Sequence, residues 1–394
     1  MSTIHVIDLF SGAGGFSAGV QMAGHTVIAC VDQWEKGLAI HHANFKDVAH
    51  VNLCLGGDKL SFVKAILALV EQLVPPGETW HLHASPPCQS FSIAQRQKKT
   101  ISALADAELD ARSNLLSWSL DVIQMLDPPR WSLEQVPTAL PFLEKHCNWI
   151  FEETSGVRIY PKVFGFEFGA ATMRKRLLIG KGWSLNGQTT PFGTKKRLRF
   201  NDADSSLGLY QTCPLLCNSI LVELNSIDDR GYEICDLAIK TSANKWCTSI
   251  SERKYPLANS ASGPALGKSK WVPCSEGQGL RPLSGRPCFA AIASYALVLY
   301  KRVSREPIRN HKTYLDGTWV KWRSLKPSEL AAIQGFPATY RIDDLSSIEL
   351  EYYNDLALGT KMTSTVKLTR ANQVRGIGNS VVPLIAKAIL SSTS

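Results

Sequence analysis

Residues 5–17, "HVIDLFSGAGGFS", decide how the chain is to be read. A short apolar run rich in β-formers enters Gly12, Gly14 and Gly15 and continues into a helical pattern. Glycines at these places let the backbone turn sharply and approach a ligand at the carboxyl end of the strand. Nucleotides, dinucleotides and S-adenosylmethionine are all held by such turns, and a tight turn without ligand uses the same residues. The spacing is not G-x-G-x-x-G, and no G-x-x-x-x-G-K-[ST] phosphate loop occurs in the chain.

Outward from this turn, strand-like and helix-like segments alternate. "TVIACVD" is followed by the helical "WEKGLAIHHANF", a short run at "AHVNL", and a helix over Leu60–Val74 that Pro75 and Pro76 stop. "WHLHAS", "RWSLEQV" (Arg130–Val136) and "RKRLLIGKG" (Arg174–Gly182) read as further strands. Such alternation predicts βαβ units, a parallel sheet and a doubly wound, Rossmann-like α/β fold. The pattern fades after Gly182. Residues 181–325 read as a smaller, irregular inserted domain between a catalytic domain at 1–180 and a C-terminal segment at 326–394 that completes it. In that last segment "LKPSELAAIQGFP" (Leu325–Pro337) and "GNSVVPLIAKAILSS" (Gly378–Ser392) each read as one helix.

The 394 residues, 44% hydrophobic and 20% charged, describe an ordinary globular chain. A net charge of +9 favours an acidic partner, nucleic acid being the commonest. "MSTIHVIDLF" has no basic head or cleavage site, and Leu60–Val74 is too short and too charged to span a bilayer. Ten cysteines without dense spacing suggest reduced thiols. The expectation is an intracellular protein with no membrane partner.

Two loops carry candidate chemistry. "SPPCQSFS" (Ser85–Ser92) and "LEQVP" (Leu133–Pro137) both leave parallel strands, so Cys88 and Glu134 share a rim with the glycine turn. A thiolate can add to an electron-poor carbon while an acid protonates the ring nitrogen that gains charge. Asp32, ending the second strand, can accept from both hydroxyls of a ribose or cap the next helix.

These segments together resemble the DNA (cytosine-5)-methyltransferases, in family order and over both ends of the chain. "DLFSGAGGFS", "SPPCQSFS", "EQVP", "FGAATMRKR" (Phe168–Arg176), "LKPSELAAIQGFP" and "QVRGIGNSVVP" (Gln373–Pro383) each resemble a family motif, and "DARSNLL" (Asp110–Leu116) resembles the stretch after the mobile catalytic loop. The resemblance implies that Cys88 attacks C6 of a flipped-out cytosine, Glu134 serves N3, Arg176 contacts O2 and Arg174 braces the site. It implies S-adenosylmethionine as cofactor. Phe10 would lie near the adenine, Ser11, Gly12, Gly14 and Gly15 would form the turn, Asp32 would meet the ribose and Asn52 the adenine amino group. Asn379 and Ser380 would close the methionine end. The residues after Ser92 would form a lid. Double-stranded DNA is the implied partner of a monomeric modification enzyme, with a cognate restriction endonuclease acting on the same site. A prokaryotic cytoplasm or a virus-infected cell is the implied setting. The same chemistry on tRNA, and a DNA-binding relative without catalysis, are the alternatives.

The chain departs from the family pattern at several positions. Gln135 stands in place of Asn after the catalytic Glu, and Thr172 in place of Gln. Asn52 replaces an adenine-contacting Asp, with Asp58 as the other candidate, and Trp34 stands one place late. In the insert, Lys195–Arg199 ("KKRLR") suits phosphates or a solvated face. Cys213, Cys217, Cys235 and Cys247 lack the short C-x-x-C pairs of zinc modules, so no metal is expected.

Overall fold

The computed structural model of the protein describes residues 2–87, 105–170, 172, 174–185 and 326–392, with backbone alone at 105–113 and in strands at 234–240, 272–273, 279–282, 298–303 and 319–324. Cys88, the expected lid, Lys195–Arg199, Cys213, Cys217 and Cys247 lie outside the described residues, and Cys235 lies in a strand described by its backbone.

The chain opens with β1 (Ile4–Leu9), α1 (Gly15–Met22), β2 (Thr26–Asp32), α2 (Glu35–Asn44), β3 (Ala49–Asn52), α3 (Lys59–Leu73) and β4 (Thr79–Ala84). Then follow α4 (Ala105–Leu126), β5 (Arg130–Gln135), α5 (Leu140–His146), β6 (Arg158–Phe164) and β7 (Lys175–Lys181). Strands β1 to β7 form one sheet in the order β3-β2-β1-β4-β5-β7-β6. Neighbours from β3 to β5 run parallel, and β7 lies antiparallel between β5 and β6. The order reverses at β1, so the carboxyl ends of β1 and β4 open a crevice.

Every residue of β1 is buried. Its alternation sorts side chains between two helical layers. Ile7 and Leu9 join Phe62, Ile66 and Leu69 of α3 and Leu116, Leu120 and Ile123 of α4. Val6 faces the opposite way, with Phe16 and Val20 of α1.

Residues 234–324 contribute five strands, β8 (Ile234–Lys240), β9 (Val272–Pro273), β10 (Gly279–Pro282), β11 (Val298–Val303) and β12 (Trp319–Ser324). They pair antiparallel in the order β12-β11-β8-β10-β9. The chain continues with α6 (Pro327–Gln334), the hairpin β13 (Ser347–Tyr352) and β14 (Met362–Lys367), α7 (Arg370–Asn379) and α8 (Pro383–Ser391). Ile385, Ala386, Ile389 and Leu390 of α8 are buried against the α1 side of the sheet with Val6, Phe16 and Val20. Burying three such large aliphatic side chains is worth up to about 5–9 kcal/mol. Directly after β13, Tyr353 covers the free edge of β3: its N–H donates to His50 and its carbonyl accepts from Asn52, each at 2.8 Å.

One expectation is corrected. Residues 378–392 are not a single helix, because α7 ends at Asn379 and α8 starts at Pro383. Proline supplies no N–H and keeps the residue before it out of the helical region; Val382 is extended at φ −70°, ψ 115°.

Candidate active site

The glycine turn is built from a run of left-handed backbone. Phe10 has φ 58°, Gly12 φ 52° and Gly14 φ 84°. A bulky residue in that region costs energy and persists only where its surroundings fix it. Here they do: Ser85 donates from Oγ to the Phe10 carbonyl at 3.2 Å and from N to Leu9 at 3.2 Å. Ser11 closes the turn, its carbonyl accepting from Gly14 at 2.9 Å.

Asp32 holds the turn from the neighbouring strand. Oδ2 accepts from Gly12 N at 2.8 Å and Oδ1 from Trp34 N at 2.7 Å. Burial pushes this carboxyl upward, and the backbone donors oppose the shift. Asp32 therefore fixes the chain entering α2 and keeps spare lone pairs for hydroxyl donors. Asn52 is its register partner on β3. Asp58 is an exposed helix cap, accepting from Ser61 N at 2.7 Å, so Asn52 is the one of the two candidates beside the turn.

The turn leaves room for the adenosine part of S-adenosylmethionine, with the Asp32 carboxylate beside it as a hydroxyl acceptor. A Cβ built on Gly12 meets nothing within 4 Å, which leaves open space above the turn beside the Asp32 carboxylate. Gly15 faces the other way, and a Cβ there would lie 2.3 Å from the Val381 carbonyl and 2.7 Å from Ser380 Cβ. Trp34 lies nearby with the Arg375 guanidinium 4.9 Å from its ring centre, a cation–π pair that sequence reading did not single out.

At the second rim, Gln135 is fully buried and braces the loop that follows β4. Its Nε2 donates to the Pro86 carbonyl at 2.9 Å, and its Oε1 accepts from Val136 N at 2.8 Å. The extra methylene spans β5 to the loop that carries Cys88 two residues on.

Glu134 and Arg176 form an ion pair through Oε1 and Nε, with both side chains largely buried. Antiparallel pairing explains the meeting. Glu134 stands opposite Leu178, so Arg176, two residues away on β7, occupies the same face. Arg174 acts elsewhere: it donates to the carbonyls of Gly378 at 2.6 Å and Asn379 at 3.2 Å, a cation on the C-terminal carbonyls of α7. Thr172 Oγ1 accepts from Arg174 N at 3.2 Å. Asn379 is exposed at that helix end. Ser380 is buried and donates to Gly376 at 2.7 Å, leaving its oxygen as an acceptor only.

Sequence reading also missed the groups that lock these parts together. Gln334 donates to the Ser380 carbonyl at 3.1 Å, and the Tyr340 hydroxyl donates to Ala13 in the glycine turn. Among the described residues, Cys30, His41 and His50 are the grouping with metal-ligand potential, all buried below the turn.

With a carboxyl, a guanidinium and a braced loop on one rim and an open glycine turn beside them, the site suits proton transfer to a planar heterocycle next to a bound nucleoside cofactor. Comparison with known proteins gives the family. The family model for C-5 cytosine-specific DNA methylases matches residues 4–354. The Type II methyltransferase M1.HphI of Haemophilus parahaemolyticus is 25% identical over 393 residues, covering 97% of this chain and 84% of its own. M.HindV of Haemophilus influenzae is 35% identical over 91 residues, 23% of this chain, and the match spans only 27% of that relative's length. The solved structure of the Entamoeba histolytica methyltransferase EhMeth has the same fold, with a TM-score of 0.51 at 15% identity over 98% of this chain and 97% of its own. The chain belongs to the family of C-5 cytosine-specific DNA methylases.

Proposed function

We propose that the protein methylates C5 of a cytosine flipped out of double-stranded DNA, with S-adenosylmethionine as methyl donor. The observation that carries this reading is the Glu134–Arg176 pair on the rim beside the loop that Gln135 braces. C5 and C6 are hidden in a stacked duplex, so the base has to leave the stack to reach this rim.

In this reading the Cys88 thiolate bonds to C6, and Glu134 relays a proton from solvent to N3 as charge develops there. Arg176 keeps the Glu134 carboxyl aimed and offers its remaining N–H groups to the cytosine O2. The activated C5 then takes the methyl group that bound S-adenosylmethionine supplies. Loss of the C5 proton to solvent re-forms the ring double bond as the Cys88 thiolate leaves C6, and N3 gives its proton back to Glu134. Asp32, Gly12 and Asn52 would hold the adenosine, while Arg174 keeps the end of α7, with Asn379 and Ser380, against the turn. Thr172 supports that arrangement through Arg174.

The Type II name of the relative M1.HphI supports a modification enzyme guarding sites that a cognate endonuclease cuts. Residues 181–325 would read the target sequence. No helix among the described residues is long and apolar enough to cross a membrane. The test is a duplex of varied sequence carrying 5-fluorocytosine, incubated with cofactor. A covalent protein–DNA complex is expected, absent in Cys88→Ala. No complex, and no methyl label on C5 across a diverse genomic DNA, would overturn the reading.

A further inference from the structure

Below the glycine turn, four side chains and one carbonyl make an unbroken buried chain. Asp8 Oδ2 lies 2.7 Å from Ser17 Oγ, and Ser17 Oγ lies 2.9 Å from His41 Nε2. His41 Nδ1 is 2.8 Å from His50 Nε2, and His50 Nδ1 is 2.8 Å from the Val48 carbonyl. Asp8, Ser17 and His41 have no exposed surface and His50 has 2%.

The protons in this chain can be counted. A carbonyl only accepts, so His50 Nδ1–H donates to Val48 and a neutral His50 presents a bare Nε2. His41 must then donate from Nδ1, which leaves its Nε2 bare and calls on the Ser17 hydroxyl proton. Ser17 has no second proton to give Asp8. The four contacts need four protons, and an ionised Asp8 with neutral histidines supplies three. An imidazolium at His41 with an ionised Asp8 would balance the count by placing two charges inside an apolar layer. A metal ion between the histidines fits less well. Two imidazole nitrogens on a tetrahedral zinc, with bonds of 2.0–2.1 Å, stand about 3.3 Å apart, and these stand at hydrogen-bond distance, with Cys30 Sγ 3.7 Å from His41 Nδ1.

We propose that Asp8 is a neutral carboxylic acid in the folded protein at pH 6.5, and that its proton completes a relay through Ser17, His41 and His50 that supports the cofactor turn from beneath. Support reaches the turn by contact: a Cβ on Gly14 would lie 2.8 Å from His41 Cδ2 and 2.7 Å from Phe45 Cε2. Burial raises Asp8 to about 7, with the Asp32 carboxylate pushing the same way and the Ser17 hydrogen bond opposing. Burial also holds His41 well below its ordinary value and takes His50 down to about 3.

The ionisable neighbours come from every side. Cys30 and Asp32 stand on β2, with Cys30 the register partner of Asp8. His83 is its partner on β4, buried and held neutral. His42 on α2 bears on His41 and His50, and Glu351, Lys361 and Lys46 act on His42. Tyr340 closes the top through Ala13. Above the Asp8 transition the carboxylate claims the Ser17 proton, two bare acceptors face each other at Ser17–His41, and the turn loses its support.

The full chain labelled with 15N-histidine tests this by long-range proton–nitrogen NMR, with His41→Gln and His50→Gln giving the assignments. At pH 6.5 both rings are expected neutral with the proton on Nδ1. His41 should change between pH 6.5 and 8.5. In Asp8→Asn it should not, because the amide donates to Ser17 permanently. A proton on His41 Nε2 alone, a doubly protonated His41 at pH 6.5, or an equal pH response in Asp8→Asn overturns the proposal. If Asp8→Asn does not fold, Ser17→Ala cuts the relay and must abolish the His41 response. A second arm rests on the proposed cofactor. Affinity for S-adenosylmethionine should weaken about tenfold from pH 6.5 to 8.5 in the wild type and stay level in Asp8→Asn. Failure to bind at both pH values would count against the proposed function, with the NMR arm still deciding the proton.

Discussion

Replacing Gly19 with alanine asks whether the contact between α1 and α8 sets the position of the glycine turn. A Cβ at residue 19 would lie 2.3 Å from the Pro383 carbonyl oxygen, 2.5 Å from Ala386 Cβ and 2.8 Å from Lys387 N. These are backbone atoms and a Cβ, so no flexible side chain can swing aside, and the helices have to part by about 1 Å to restore normal contact. Overpacking costs about 1–3 kcal/mol in general, and against unyielding backbone the upper part of that range, roughly 2–3 kcal/mol, applies. The better helix propensity of alanine returns about 1 kcal/mol, leaving a net loss of about 1–2 kcal/mol. For a domain of this size that lowers Tm by about 2–8 °C. Gly15 lies one turn earlier on α1, against Val381, so the displacement is passed to the turn, and S-adenosylmethionine affinity should fall several-fold. Gly57→Ala is the control, since a Cβ there meets nothing within 4 Å. Calorimetric unfolding and cofactor titration read both effects. A Gly19→Ala protein with unchanged Tm would refute the packing argument. Lower stability with unchanged affinity would refute the coupling to the turn.

Gln135→Leu leaves the buried Pro86 carbonyl without its donor, a loss of about 1–3 kcal/mol. Single-turnover methylation should slow about tenfold or more while cofactor affinity holds, and equal rates would exclude a bracing role. Stability should also fall on acidification. Burial holds His41, His50, His81 and His83 below their ordinary values, so unfolding below about pH 6.5 lets four imidazoles take up protons, while Asp8, raised when folded, gives one up. The stabilisation from neutral imidazoles is present above pH 6.5 and is lost as pH drops. Urea unfolding should therefore show stability falling as pH drops from 6 to 5, and a pH-independent midpoint would contradict it.

Much of the central sheet could be read because its strands are short apolar runs bounded by glycine and proline. β2, β3, β5 and β7 fall within segments the sequence marks, and β1 and β4 begin one residue before theirs. β6 was not legible because Pro161 interrupts it; it is tolerated on an edge strand whose register shifts between Tyr160 and Val163. The β13–β14 hairpin was missed because few of its side chains are buried, so its alternation carries little hydrophobic contrast. In the site, motif order brought out Glu134, Arg176 and Asp32. Their partners were hidden: the Glu134–Arg176 contact depends on antiparallel register across more than forty residues, and no local pattern encodes it. Gln135 looked like a defect in a motif, since only the structure shows how far its amide reaches. His41 and His50 gave no signal because a buried hydrogen-bonded imidazole and a surface one look alike in a helix or a short strand.

The seating of α8 on α1 also orders events during synthesis. Phe16 and Val20 are covered by Ile385, Ile389 and Leu390, residues made some 360 positions later. At about 5–20 residues per second, the first helix waits roughly 20–70 s on the ribosome with its inner face open to water. Throughout that interval it offers the nascent chain's most persistent foothold for chaperones. The glycine turn at its head takes its working position only once α8 has been translated.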